Sequence, residues 1–351
     1  MSYYYNSTKL LTMKDLYGRT PEIFMVCGNR TGGKTFNFKR LLINKFIKRK
    51  EKFCWLVRFS YEMDGIAENI FKDVGPEKFP GMVLSSKPVG KNLFMELFLD
   101  GESCGYCVPI NAADTIKKYS ARLSDVKHMY LDEFQSENEK YCPEEIRKFM
   151  SIHTSIARGG GSHIRYVPVY MSSNPVTLFN PYFAALGVTR RVQYGAKFVR
   201  GDGWVLEFDF NEVASSEYLE SAFARAFSGN ESAKAFSSYQ ATIDFLKDSN
   251  SFIKKIDGPK QMMLRVVYNG VNYGFWKSEK YNCYYVSKQF DPGYLYPVTF
   301  NDKDHSEKIM FIERRSPFMK SMKLYFNSGS VFFEDLDCKN MFLEFMNRAL
   351  N

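Results

Sequence analysis

The octapeptide Gly28-Asn29-Arg30-Thr31-Gly32-Gly33-Lys34-Thr35 has the spacing of a phosphate-binding loop: glycine, four residues, glycine, lysine, then threonine. Its glycines let the backbone curl until successive N–H groups point inward at a phosphate chain. The helix expected to follow adds its N-terminal dipole. Lys34 would neutralise β- and γ-phosphate oxygens, Arg30 would reach phosphates of the same site, and the Thr35 hydroxyl would ligate Mg²⁺. All eight residues are expected to bind ATP, with Mg²⁺ beside it. A chance glycine-rich turn is the competing reading, and the context argues against it.

That context includes His128-Met129-Tyr130-Leu131-Asp132-Glu133, four largely apolar residues ending in two acids, 98 residues beyond Lys34. Asp132 is expected at a strand's carboxyl end, holding the metal shell together with Thr35. Glu133 beside it is the natural general base for an attacking water. A transferase has no use for a base aimed at water, so the pair points to hydrolysis. Tyr166–Met171 followed by Ser172-Ser173-Asn174 repeats the pattern of a buried strand ending in small polar groups. Asn174 could hydrogen-bond the attacking water or the γ-phosphate and register its loss; an Asx turn before Pro175 accounts for the same residues. Arg158 precedes Gly159-Gly160-Gly161, after a helix expected over Glu144–Ser155. From such a loop it could enter a neighbouring subunit's site and stabilise transition-state charge, or it is a solvated surface arginine.

Positioning these groups requires an α/β domain. Between Glu22 and Pro175 short apolar runs alternate with helical patterns, the mark of a mostly parallel sheet. Strands are expected at Ile23–Cys27, Phe53–Val57, Tyr106–Ile110, His128–Leu131 and Tyr166–Met171, with a helix over Lys34–Lys48 and an edge hairpin turning at Asp100-Gly101. Glu217–Phe227 and Ala233–Leu246 read as helices of a small linker. From Gln261 onwards come short aromatic and β-branched strands punctuated by Asn269-Gly270, Asp291-Pro292-Gly293 and Ser328-Gly329, closed by a helix over Asn340–Leu350. The expected domains are therefore 1–208, 209–257 and 258–351.

The chain's 351 residues suffice for two cores, and 45% hydrophobic with 25% charged residues is globular composition rather than disorder. A formal charge of +9 suits a polyanionic partner without demanding one. Aromatic residues reach 17%, which reads first as core. Seven cysteines suit free thiols in a reducing compartment, and Cys104-Gly-Tyr-Cys107 has metal-ligand spacing but no second pair. No export segment or membrane span is visible, so a soluble, intracellular protein is expected.

With both phosphate motifs located, the sequence resembles the DNA-packaging (encapsidation) ATPases of phi-29-type small tailed phages, ring motors related to terminase large subunits. The resemblance runs through Arg30 in the loop, Asn44–Lys48, Phe53–Arg58, Tyr130–Phe134, Ser173-Asn174 and Asn180–Phe183. It continues through Val267–Gly270, Gly274–Trp276, Tyr284–Val286 and Asp291-Pro292, similar to that family's ribonuclease-H-like domain. It implies a P-loop ATPase domain of the additional-strand type, a helical linker and a carboxyl-terminal α+β domain. It also implies a homo-oligomeric ring, usually a pentamer, driving double-stranded DNA into a prohead in the host cytoplasm. The motor would dock transiently on the portal (connector) vertex, in some members through a structural packaging RNA, with no membrane involved. Arg158 falls on the trans-acting arginine, although three glycines stand where the family is more basic. No acid appears in Leu264–Tyr268, and Asn269 stands near the place of a metal-binding aspartate, so a non-cutting domain is expected. Lys254-Lys255 and Arg314-Arg315 with Lys320 and Lys323 are the basic groups expected to touch phosphates. A helicase or AAA-type remodelling ATPase, or an inactive scaffold binding portal or RNA, are the alternatives.

Overall fold

Apolar runs buried on both faces favour parallel strands reached through crossovers, and six such strands form the centre of the larger sheet. The computed structural model describes residues 5–29, 32–136, 140–158, 164–176, 180–188, 191–192, 196–209, 221–226, 252–313 and 316–350. Two units emerge: Met1–Thr177 with Gly195–Phe245, and Leu178–Tyr194 with Leu246–Asn351.

In the first unit, a short helix α1 (Thr8–Thr12) precedes β1 (Ile23–Gly28), α2 (Lys34–Arg49) and β2 (Lys52–Val57). Helices α3 (Ile66–Phe71) and α4 (Val74–Lys78) lead to β3 (Leu84–Val89), β4 (Phe94–Leu99) and β5 (Glu102–Pro109). Then follow α5 (Ala113–Ile116), β6 (Val126–Asp132), α6 (Glu145–Ala157) and β7 (Val169–Ser173). Helix α7 (Pro181–Leu186) belongs to the second unit. The chain then returns through β8 (Phe198–Gly201), β9 (Trp204–Asp209) and α8 (Ala222–Ala226).

The nine strands lie in the order β3-β4-β5-β2-β6-β7-β1-β9-β8. From β5 to β9 every pairing is parallel, and antiparallel hairpins finish both edges. β7 is thus inserted between the strand that carries the phosphate loop and the strand that ends in Asp132, the additional-strand arrangement. The hairpin expected at Asp100-Gly101 is present, with φ of 49° and 82° at the two positions, the left-handed pair a tight two-residue turn needs. A further edge strand, β3, lies outside it. Helix α2 lays Phe38, Leu42 and Phe46 on the sheet, where Phe38 meets Tyr130 and Tyr170 at centroid distances of 5.3 and 5.6 Å. Those aromatics are core, as their spacing predicted.

The second unit is an α+β layer. β10 (Gln261–Tyr268), β11 (Val271–Ser278) and β12 (Cys283–Ser287) form an antiparallel meander. β13 (Val298–Thr299) and β14 (Met310–Phe311) add in parallel beyond β10, and β15 (Val331–Phe333) pairs in parallel with β12. Three antiparallel strands followed by two parallel ones on the side of the first is the ribonuclease-H-like order. Helices α9 (Pro317–Asn327) and α10 (Leu336–Leu350) cover the sheet through Met319, Met322, Phe342 and Phe345. Of the expected linker helices, only Ala222–Ala226 falls within the described residues. No described helix is long and apolar enough to cross a membrane.

Candidate nucleotide site

The carboxyl ends of β1, β6 and β7 open onto one cavity of about 560 Å³. It is lined by Gly33, Lys34, Thr35, Asp132, Glu133, Ser173 and Asn174, among others. Six expected site residues from three distant stretches of chain therefore meet: Gly33, Lys34, Thr35, Asp132, Glu133 and Asn174. Arg158 does not line it, and Arg30 and Thr31 lie outside the described residues.

Each is placed by its element. Gly33 caps α2 with φ 79°, a left-handed conformation that costs a glycine nothing. Gly28 is needed for a different reason: a Cβ there would sit 1.9 Å from the Asp209 carbonyl oxygen on the neighbouring β9. Tyr5 N–H donates to the Gly32 carbonyl at 2.7 Å, tying the start of the chain to the loop. Lys34 is buried, its Nζ donating to the carbonyls of Gly28 and Asn29 at 2.8 and 2.7 Å. The ammonium is thereby held at the centre of the loop. Thr35 Oγ1 donates to Asp132 Oδ1 at 3.1 Å, so hydroxyl and carboxylate form a pair of hard oxygen donors. That donor set suits Mg²⁺, which keeps most of its waters and takes one or two protein oxygens besides phosphate.

Glu133 follows Asp132 with φ 49°, a conformation costing a non-glycine residue about 1–3 kcal/mol. Arg58, just beyond β2, offsets that strain. Its Nη2 donates to the carbonyls of Glu133 and Phe134 at 3.2 and 3.1 Å. Its Nε reaches both Glu145 carboxylate oxygens at 3.0 Å. Both side chains are buried, and removing either leaves a desolvated charge uncompensated, at about 3–5 kcal/mol. Gln135 Nε2 donates to the Cys27 thiol at 3.3 Å and its Oε1 accepts from Val176 N–H at 3.2 Å. It thus braces the loop that carries Asn174 against the end of β1. Burial pushes the Cys27 thiol up to about 12, so it serves as a neutral packing group. The seven cysteines are all buried and free.

The sequence did not signal Arg58, Glu145 or Gln135 as site residues, because nothing in their local pattern marks them. Nor did it signal Asp73 and Glu77, which α4 brings to the cavity wall, with Asp73 accepting from Lys39 Nζ at 2.9 Å. Arg158 is exposed at the carboxyl end of α6, thirteen residues from Glu145. A helix of that length separates them by about 20 Å.

In the second unit Asn269 occupies the β10–β11 turn with φ 50°. Its Oδ1 accepts from Asn301 Nδ2 at 3.0 Å, and its N–H donates to Asp304 at 2.7 Å. Lys254, Lys255, Lys320 and Lys323 are exposed and enter no ion pair among the described residues. Arg314 and Arg315 lie outside them.

Phosphate loop, inserted strand and paired acids at the carboxyl ends of the central strands define a P-loop nucleotide-binding protein of the additional-strand class. The profile of the podovirus DNA encapsidation protein (Gp16) family matches residues 1–350, and the chain belongs to that family. The chain is 26% identical to the DNA packaging protein of Bacillus phage phi29, over 99% of this chain and 98% of the relative. To that of Bacillus phage B103 it is 24% identical, over 88% and 92%. Among solved structures, the Phi-28 gp11 DNA packaging motor superposes with a TM-score of 0.65 at 20% identity, covering 100% of this chain and 99% of the other. The bacteriophage Phi-29 viral genome packaging motor assembly gives 0.59 at 24% identity, covering 99% and 100%.

Proposed function

We propose that this phage DNA packaging protein is an ATP-hydrolysing motor that moves double-stranded viral DNA into the prohead. The observation that carries the reading is the single cavity in which Lys34, Thr35, Asp132, Glu133 and Asn174 meet. Lys34 and the Gly28–Thr35 backbone hold the triphosphate, and Thr35 with Asp132 holds Mg²⁺. When bound, Mg²⁺ supplies charge neutralisation between the β- and γ-phosphates. Glu133, aimed by the Arg58 grip on its backbone, takes the proton of the attacking water. Asn174 hydrogen-bonds that water or the γ-phosphate and senses its departure.

Arg158 acts in trans. Its helix starts beside the base's own support, and residue 158 lies about 20 Å along the axis from that start, outside the lining of its own chain's cavity. A homo-oligomeric ring, pentameric as in the resembling motors, would supply each site with a neighbour's arginine. In such a ring 1–208 is the ATPase domain, 209–257 a lid and 258–351 a non-cutting domain that contacts DNA, the portal or a packaging RNA. Exposed lysines such as Lys254 and Lys320 suit sliding phosphate contacts.

ATP turnover measured with and without duplex DNA, on rings of known stoichiometry, tests the proposal. DNA-stimulated hydrolysis without strand separation or plasmid cleavage in Mg²⁺ or Mn²⁺ is the expected result. Unwinding would favour a helicase, absence of turnover a scaffold, and robust cutting an active nuclease centre.

A further inference from the structure

The Tyr130 hydroxyl lies two residues before Asp132 on β6, fully buried inside the sheet's aromatic core. Its ring is locked between Trp55 and Phe38, with centroids 4.6 and 5.3 Å away. Packing alone would be served equally by phenylalanine, yet the phenol is aimed at charge. Tyr130 Oη lies 3.0 Å from Asp132 Oδ1 and 2.6 Å from Ser172 Oγ. Ser172, fully buried on β7 and in register with Asp132, donates to the same Oδ1 at 2.7 Å.

Two hydroxyl protons serve these three contacts. The Ser172 proton goes to Asp132, and the Tyr130 proton is shared between Ser172 Oγ and Asp132 Oδ1. With Thr35 Oγ1 and Glu133 N–H, each 3.1 Å away, four donors converge on one carboxylate oxygen. Among the described residues none of these bonds uses Oδ2.

We propose that Tyr130 and Ser172 form a positioning relay that fixes the rotation of the Asp132 carboxylate, leaving one oxygen for the metal shell, and that this relay sets the Mg²⁺ dependence of nucleotide binding. The inference rests on the proposed reading of Asp132 as the Mg²⁺-holding acid. The groups that orient a metal-holding residue commonly govern metal affinity by 10–100-fold.

The test is binding of a fluorescent ATP analogue to the full chain across a Mg²⁺ titration, with a parallel series in EDTA. Tyr130→Phe, which keeps the ring, is expected to need about tenfold more Mg²⁺ for half-maximal binding, with the EDTA affinity unchanged. Ser172→Ala attacks the relay from the neighbouring strand and should shift the curve the same way. The double variant should be little worse than either alone, because one relay has been broken twice. Unchanged Mg²⁺ dependence in both single variants overturns the relay. So does an equal loss with and without Mg²⁺, which would make Tyr130 a packing residue. Wild-type protein that binds the analogue equally well in EDTA and Mg²⁺ overturns the metal-site reading itself, and the relay with it.

Discussion

Arg158→Ala is expected to lower DNA-stimulated ATP turnover by about a thousandfold or more, the range an arginine supplied to a phosphoryl-transfer transition state contributes. Nucleotide affinity should barely change, because the residue lies outside the cavity that holds the triphosphate. The decisive arm mixes two dead proteins. Lys34→Ala subunits lack a working loop but still present Arg158, while Arg158→Ala subunits keep an intact loop and acids. Wherever the two sit side by side in the right order, one complete site is rebuilt. Partial recovery of hydrolysis in mixed rings is therefore the outcome of trans action. If every mixture stays inactive, Arg158 returns to being an exposed helix-end arginine.

Glu133→Gln should reduce turnover by about a hundredfold or more while ATP binding persists. The amide is nearly isosteric but cannot accept the water's proton. It should also keep the left-handed backbone at 133, since Arg58 grips the carbonyl oxygens of Glu133 and Phe134. Trapped ATP with normal affinity is the expected state, read by rapid filtration beside steady-state turnover. Wild-type turnover in this variant would remove Glu133 as the base.

These expectations come from a site whose parts were unequally visible in the chain. The phosphate loop and its helix were legible because spacing and chemistry coincide within eight residues. The strand expected at Ile23–Cys27 extends one residue to Gly28, and the helix expected to Lys48 ends at Arg49. β7 was expected at Tyr166–Met171 but runs Val169–Ser173. Pro168 offers no N–H to a central ladder, so the strand begins at Val169, three residues later than expected, and it runs on through Ser172 and Ser173. That shift puts the Ser172 hydroxyl beside Asp132, a contact that strand patterns alone could not reveal.

Tertiary partners were the least visible. Arg58 and Glu145 are 87 positions apart and meet only because β2 ends beside the start of α6. Helix α9 lies in a stretch whose aromatic and β-branched runs predict strands, although Ser316 caps it, accepting from Met319 N–H at 3.3 Å, with Pro317 at its first turn. That pair is a helix-start signal, outweighed by the surrounding aromatic residues. The excursion of Leu178–Tyr194 into the second unit leaves no mark in composition, because α7 is short and its grouping is set by long-range packing.

The most direct measurement is a structure of the full chain with a slowly hydrolysed ATP analogue and Mg²⁺. The expected result is phosphates wrapped by residues 28–35, Lys34 turned from the Gly28 and Asn29 carbonyls onto them, and the cation beside Thr35 and Asp132. Glu133 should face the terminal phosphate across a water-sized gap. Nucleotide bound elsewhere, or an empty loop with Lys34 still on its own carbonyls at saturating analogue, would contradict it.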